Sequence, residues 1–122
     1  MARLRRRLDD AALWAARAAQ LGASDDAYTQ FLWRQVEAKL HAARGDQERA
    51  VQLAHEALAI AEATDMTNQQ GQAHLDLAEV LLLGGDTAGA AAALEQALAR
   101  YVRKGNVVLQ ARVAGRLAEL RP

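Results

Sequence analysis

The stretch GDQERAVQLAHEALA, residues 45–59, returns as GDTAGAAAALEQALA at residues 85–99. Gly45-Asp46 matches Gly85-Asp86, Ala50 matches Ala90, and Ala57-Leu58-Ala59 matches Ala97-Leu98-Ala99. Working outward, Ala38 matches Ala78, and Leu77-Ala78 matches Leu117-Ala118 at the same offset. Self-similarity at one fixed spacing signals a repeat architecture, in which each unit buries its apolar face on the next. Around each Gly-Asp pair the apolar residues recur with helical periodicity, so the repeated unit is a pair of helices joined by a tight turn.

Composition agrees with helices throughout. Hydrophobic residues make up 52% of the 122, and alanine, the best helix former, dominates them. One Phe, two Tyr and two Trp leave little for strands, and the single proline, Pro122, ends the sequence. Fifteen basic residues balance fifteen acidic ones. Nucleic-acid binders usually carry a basic face, so the balance argues against that class. The local exception is Arg3, Arg5, Arg6 and Arg7 with Leu4 and Leu8 interleaved, a possible basic strip on the first helix. No cysteine is present, which removes disulfide frameworks and thiol chemistry. The longest apolar run, Val80-Leu81-Leu82-Leu83, is too short to span a bilayer. The expectation is a soluble, cytoplasmic protein.

Six helices follow from periodicity and punctuation. The first covers about Leu4 to Leu21, with Leu8, Ala11, Ala15, Ala18 and Ala19 inward, Trp14 beside them and Gly22 as its cap. Ser24 is a good N-cap for the second, with Asp25 and Asp26 in its first turn. Its stripe is Tyr28, Leu32, Val36 and Leu40, widened by Phe31 and Ala43. Asp46 caps the third, which turns Ala50, Ala54, Ala57, Leu58 and Ala61 inward. Thr67 and Gln70 have capping-box spacing at the start of the fourth. That helix is apolar on most sides, which predicts burial on several. Asp86 caps the fifth, with Ala90, Ala93, Leu94, Ala97, Leu98 and Tyr101 inward. Gly105 ends it, and Asn106 caps the sixth, which carries Val107, Leu109, Val113, Ala114, Leu117 and Leu120. Short connections make neighbours antiparallel.

The residues Ala38, Gly45, Asp46, Ala50 and Ala57, and again Ala78, Gly85, Asp86, Ala90 and Ala97, resemble the tetratricopeptide repeat: a small residue in a first helix, a Gly-Asp-like turn, and two alanines seven apart in a second. The resemblance implies an all-α helical-repeat solenoid of about six antiparallel helices forming one domain. Its parts are a leading half repeat (4–21), two full repeats (25–64 and 68–104) and a capping helix (107–120). The period of forty exceeds the family's thirty-four, aliphatics replace most of its aromatic positions, and Glu62 and Val102 stand where its closing proline falls. The run Tyr101-Val102-Arg103-Lys104-Gly105-Asn106-Val107-Val108, with Leu117-Ala118-Glu119-Leu120-Arg121 after it, is similar to the C-terminal end of arrays in bacterial adenylate/guanylate cyclase-like proteins and ATPase-type regulators. The frame, opening on a second-type helix, implies the C-terminal piece of a longer signalling or regulatory protein.

The family's first-type helices line a groove that receives a partner. Carried onto this chain, that groove holds Gln35, Lys39 and Ala42, then Gln72, Leu75, Glu79 and Leu82, then Arg112 and Glu119. An apolar centre ringed by mixed charge suits a helix or an extended peptide. The open side of the first helix is a rival surface and suggests a homodimer. Other chemistry is not indicated. His41, His55 and His74 lack metal-ligand spacing, although His41 and His74 approach if their helices pack. Gly84-Gly85-Asp86-Thr87-Ala88-Gly89 lacks the ending of a phosphate loop. Asp9-Asp10 and Asp25-Asp26 read as helix-start acids rather than an acid–base pair, and Trp14 and Trp33 as packing residues. The expectation is a protein-binding scaffold with no catalytic residues, cofactor or metal. Two rivals are a fragment of a nucleotide cyclase or ATPase-type regulator whose active site lies elsewhere, and a nucleic-acid adaptor using the arginines.

Overall fold

A computed structural model describes residues 2–21 and 27–121. They form six α-helices and no strand: α1 (Ala2–Leu21), α2 (Ala27–Ala43), α3 (Gln47–Glu62), α4 (Thr67–Leu83), α5 (Thr87–Lys104) and α6 (Val107–Leu120). The expected caps Gly22 and Ser24, and the acids Asp25 and Asp26, lie outside the described residues. So do the side chains of Arg3, Leu4, Arg5, Ala18 and Ala19.

Three turns share one device. Gly45, Gly85 and Gly105 take φ of 84°, 85° and 77°, a left-handed conformation open to glycine at little cost. At each, the amide one residue further on bonds back to the last turn of the helix: Asp46 to the His41 carbonyl at 2.8 Å, Asp86 to Leu81 at 2.9 Å, Asn106 to Tyr101 at 2.9 Å. This is the Schellman closure. The same residue then opens the next helix with its side chain. Asp46 accepts from the Arg49 amide at 3.5 Å, Asp86 from Gly89 at 2.8 Å and Asn106 from Leu109 at 3.2 Å. One Gly-Asp or Gly-Asn pair thus ends one helix and starts another.

The α3–α4 connection works differently, and the expected capping box at Thr67 does not form. Thr67 is already helical; the cap position belongs to Met66, which has no side-chain cap bond. Thr64 organises the loop instead. Its hydroxyl donates to the Ala61 carbonyl at 2.7 Å and accepts from the Met66 amide at 3.2 Å. Gln70 donates from Nε2 to the Thr64 carbonyl at 2.7 Å, whereas in a capping box that side chain accepts from the cap amide, so neither arm of the box is made.

Each helix packs on the next in the chain, and α2 also packs on α4. The contacts fix directions. Arg34 meets Glu56 across the Gly45 turn at 3.0 Å, and Glu62 meets His74 at 2.8 Å, so α2–α3 and α3–α4 are antiparallel. Gly71, early in α4, lies against the ring of Tyr101, late in α5, which makes that pair antiparallel too. Contacts one unit apart run the other way. Gln35 bonds Asp76, Arg100 bonds Glu62, and Asn106 bonds Asn68, at separations of 41, 38 and 38 residues. Because α2–α3 and α3–α4 are both antiparallel and α2 packs on α4, those two helices lie side by side and parallel.

Alanine makes these approaches possible. Ala50, Ala78, Ala90 and Ala97 are each 0% exposed, and they join Leu53, Leu94, Val80, Tyr101 and Val113 in the main core. Phe31, Ala57, Ala61 and Ala73 form a smaller cluster. Helix α4 is buried from Gln70 through Val80 except at Gln72 and Glu79, as its all-round apolarity predicts. Other stripes are redistributed. In α2 the buried residues are Phe31, Ala38, Leu40 and Ala42, while Tyr28 and Ala43 are exposed, because this helix meets α1, α3 and α4 on different sides rather than along one line. Leu53, outside the inward stripe expected for α3, is 1% exposed. Val107 is 71% exposed and Ala114 is exposed, since α6 packs on α5 through Val113 and Leu117. Trp14 is 46% exposed on α1. Trp33 packs against the main core, with the Arg34 guanidinium 4.2 Å from its ring centre.

The α4–α5 approach is tight enough to test. A methyl group at Gly71 would lie 2.7 Å from two Tyr101 ring carbons, whereas nothing lies within 4 Å of one at Gly115. Gly71→Ala is expected to lose about 1–3 kcal/mol in urea unfolding through overpacking. Gly115→Ala, in the open interior of α6, is expected to gain about 0.5–1 kcal/mol from helix propensity.

Candidate binding cleft

A cavity of about 310 Å³ opens where the starts of α2, α4 and α6 meet the end of α5. Tyr28, Phe31, Leu32 and Gln35 line it from α2, and Asn68, Gln69 and Gln72 from α4. Tyr101 closes it from α5, with Asn106 and Leu109 on the α6 side. Apolar surface comes from Phe31, Leu32 and Leu109. The polar surface is almost all carboxamide, and no lining residue carries a formal charge. The volume is at the small end of the range for binding pockets, about 300–1,000 Å³.

The charge sits behind the wall. Asp76, 5% exposed, points from α4 toward α2. One oxygen accepts from Lys39 Nζ at 3.0 Å and from Gln72 Nε2 at 2.9 Å; the other accepts from Gln35 Nε2. A buried charge is tolerated when paired and hydrogen-bonded, and Asp76 is both. A carboxylate can only accept. Each glutamine therefore presents its NH₂ to Asp76 and keeps its carbonyl oxygen as an acceptor.

Tyr101 is the second unusual group. It is 0% exposed and its hydroxyl has no hydrogen-bond partner. Burial raises its pKa, and the Asp76 charge raises it further against the opposing pull of Arg112. The phenol stays protonated and retains its donor. An unmade hydrogen bond of this kind costs about 1–3 kcal/mol, which the fold carries at the edge of a cavity.

The nine residues expected to form a partner groove fall into three groups. Gln35 and Gln72 line the cavity, and Lys39 stands next to it through Asp76. Ala42 and Leu75 are buried in the main core, with Leu82 half-buried against it. Glu79 is half-buried on α4, while Arg112 and Glu119 are exposed on α6; none of the three lines the cavity. The sequence reading missed Asp76 and the cavity role of Tyr101. Asp76 had a signal: a lone acid inside an otherwise apolar stretch, Leu75-Asp76-Leu77.

A separate polar brace joins α3, α4 and α5. Glu62 accepts from His74 Nε2 at 2.8 Å and from Arg100 at 3.0 and 3.1 Å, and Gln96 takes another Arg100 bond at 2.7 Å. His41 is engaged elsewhere, with Glu37 at 3.3 Å and Asp46 at 3.2 Å, so the two histidines do not meet. Among the described residues no group of three His, Cys, Asp or Glu side chains is placed to hold a metal ion. None of the described helices is long and apolar enough to cross a membrane.

The brace makes stability depend on pH. Burial lowers the His74 pKa below its ordinary 6.5, outweighing the hydrogen bond to Glu62, and Arg100 adds to the lowering. For Glu62, burial acts upward, but the bonds from His74 and Arg100 and their charges hold the carboxyl below its ordinary 4.5. Both groups bind protons more weakly when folded than when unfolded. The His74 contribution is complete above pH 6.5 and declines as the pH falls from there; the Glu62 contribution declines below 4.5. Urea unfolding at pH 7.5 and 5.5 should show lower stability at the acid value, and His74→Gln should flatten that difference. Equal pH dependence in the two proteins would contradict it.

No protein-family model matches the chain, and no curated protein or solved structure was found that matches it.

Proposed function

We propose that this chain is a helical-repeat scaffold of the tetratricopeptide type that binds a protein partner in the cleft bounded by α2, α4 and α6. The observation that carries this reading is the convergence of side chains from three non-consecutive helices, α2, α4 and α6, on one cavity. Support for the repeat comes from the parallel placement of α2 beside α4 and from polar contacts that join residues about one period apart. Stacking of units is what turns a row of hairpins into a continuous binding surface. On this reading the domain acts by docking, as one part of a larger cytosolic signalling or regulatory protein.

A peptide library displayed on phage tests it. Sequences enriched on the wild-type protein should lose binding to Gln69→Arg and Leu109→Arg, which project bulk and charge into the cavity. Full retention by both variants, with the fold intact by circular dichroism, would place the binding surface elsewhere.

A second reading concerns α1. Leu13 and Trp14 are 54% and 46% exposed there, an apolar pair suited to meeting a second copy of the chain. Sedimentation equilibrium should then show a dimer that Trp14→Ser weakens; a monomer at high concentration removes this reading.

A further inference from the structure

Equivalent residues of the repeat have matching burial in most places, and the mismatches fall on the two outer helices. Helix α6 matches α4 at the offset of forty, so Ala111, Ala114, Gly115 and Ala118 correspond to Gly71, His74, Leu75 and Ala78. The four residues on α4 are buried, and the four on α6 are exposed. Val113 and Leu117 are buried, like their equivalents Ala73 and Leu77. The difference follows the packing. Helix α4 packs on a second-type helix on each side, α3 and α5, whereas α6 packs on α5. Helix α1 matches α3 at an offset of thirty-nine, with Ala11, Ala15 and Ala18 on Ala50, Ala54 and Ala57. Burial agrees from Ala12 to Ala16 against Val51 to His55, with one exception: Leu53 is 1% exposed and Trp14 is 46% exposed. Helix α3 packs on a first-type helix on each side, α2 and α4, whereas α1 packs on α2.

Each open face is therefore suited to the helix type that the other supplies. Their shapes are complementary as well. The α6 face is built of small residues, and among the described residues nothing lies within 4 Å of a methyl placed at Gly115. The α1 face offers the bulk of Leu13 and Trp14. Inside the chain the same fit is already made, where the Tyr101 ring of α5 fills the space beside Gly71 of α4. We propose that copies of this chain associate head to tail, the α6 face of one packing on α1 of the next, so that the alternation of helix types continues across the junction. This inference rests on the repeat reading of the helices. The antiparallel contacts Arg34–Glu56 and Gly71–Tyr101, carried over by the two offsets, set Trp14 of one copy beside Ala118 of the other. The same register brings Asp10 beside Arg121, two exposed residues of opposite charge. Because the two faces differ, the contact is heterologous. Each added copy leaves one face open at either end, and growth continues past the dimer unless the rotation closes a ring.

Sedimentation equilibrium on the full chain and on two variants tests this. The mean mass of the wild type should rise with concentration past that of a dimer. Trp14→Glu and Ala118→Glu should each weaken the association at least about ten-fold, by setting a charge against an apolar surface. Both positions are exposed, so circular dichroism should show the fold unchanged in each. Mixed in equal amounts, the two variants should form a heterodimer and stop there. The intact α6 of Trp14→Glu meets the intact α1 of Ala118→Glu, and the remaining face of each is blocked. If Ala118→Glu unfolds, Ala111→Glu takes its place with the same outcome expected.

A dimer that Ala118→Glu leaves intact, with no recovery on mixing the variants, overturns the proposal and leaves a symmetric contact through α1. A wild-type chain that stays monomeric up to about 1 mM overturns both and assigns the two faces to a partner of another kind. The phage result is independent of these outcomes: peptides lost on Gln69→Arg and Leu109→Arg would still mark the cleft, whether or not the copies associate.

Discussion

Close packing of helices through alanine is the constraint on which the rest depends. Ala78 of α4 and Ala90 and Ala97 of α5 are fully buried, as is Ala50 of α3. Small side chains let the backbones approach, and they leave little apolar volume per residue to stabilise the contact. The larger residues must therefore be placed with care. Tyr101 fills the space that Gly71 leaves, with ring carbons 2.7 Å from where a methyl would be. Leu53, Leu94, Val80 and Val113 supply the remaining fully buried bulk. Polar contacts also join helices that no single turn connects: Gln35 and Lys39 with Asp76, and Arg100 with Glu62.

Asp76 shows how that arrangement becomes a site. Its position near the middle of the most buried helix would be costly for an isolated carboxylate. Lys39, Gln35 and Gln72 make it tolerable, and in doing so they are themselves oriented. The α2–α4 contact thereby orients two of the residues that line the cavity, Gln35 and Gln72. The unpartnered Tyr101 hydroxyl belongs to the same pattern. Its ring packs against Gly71, and the hydroxyl is buried with it.

What could be read from the sequence was what local chemistry decides. The Gly-Asp and Gly-Asn turns were legible because a left-handed backbone selects glycine and an exposed helix start selects a short acceptor. The burial of α4 was legible because its apolar residues leave no solvent face. The failures have tertiary causes. Thr67 has capping-box spacing, but the loop before it is organised by Thr64, which shifts the cap to Met66. Tyr28 and Val107 continue apolar stripes yet are 51% and 71% exposed. Of the nine residues carried over as a groove, Gln35 and Gln72 line the cavity, while Ala42 and Leu75 turn into the core. For Asp76 the lone acid between Leu75 and Leu77 marks the position, but its partners on α2 are far away in sequence and nothing local says what it pairs with.

Side-by-side placement of equivalent helices is the claim most directly open to measurement. Nuclear Overhauser contacts in the isotope-labelled protein would report it. The structure predicts cross-peaks from the Gln35 side-chain amide to the Asp76 methylene, and from the Asn106 amide group to Asn68. Contacts of α2 confined to α1 and α3, with neither of these cross-peaks, would contradict it and remove the cleft along with the parallel pair.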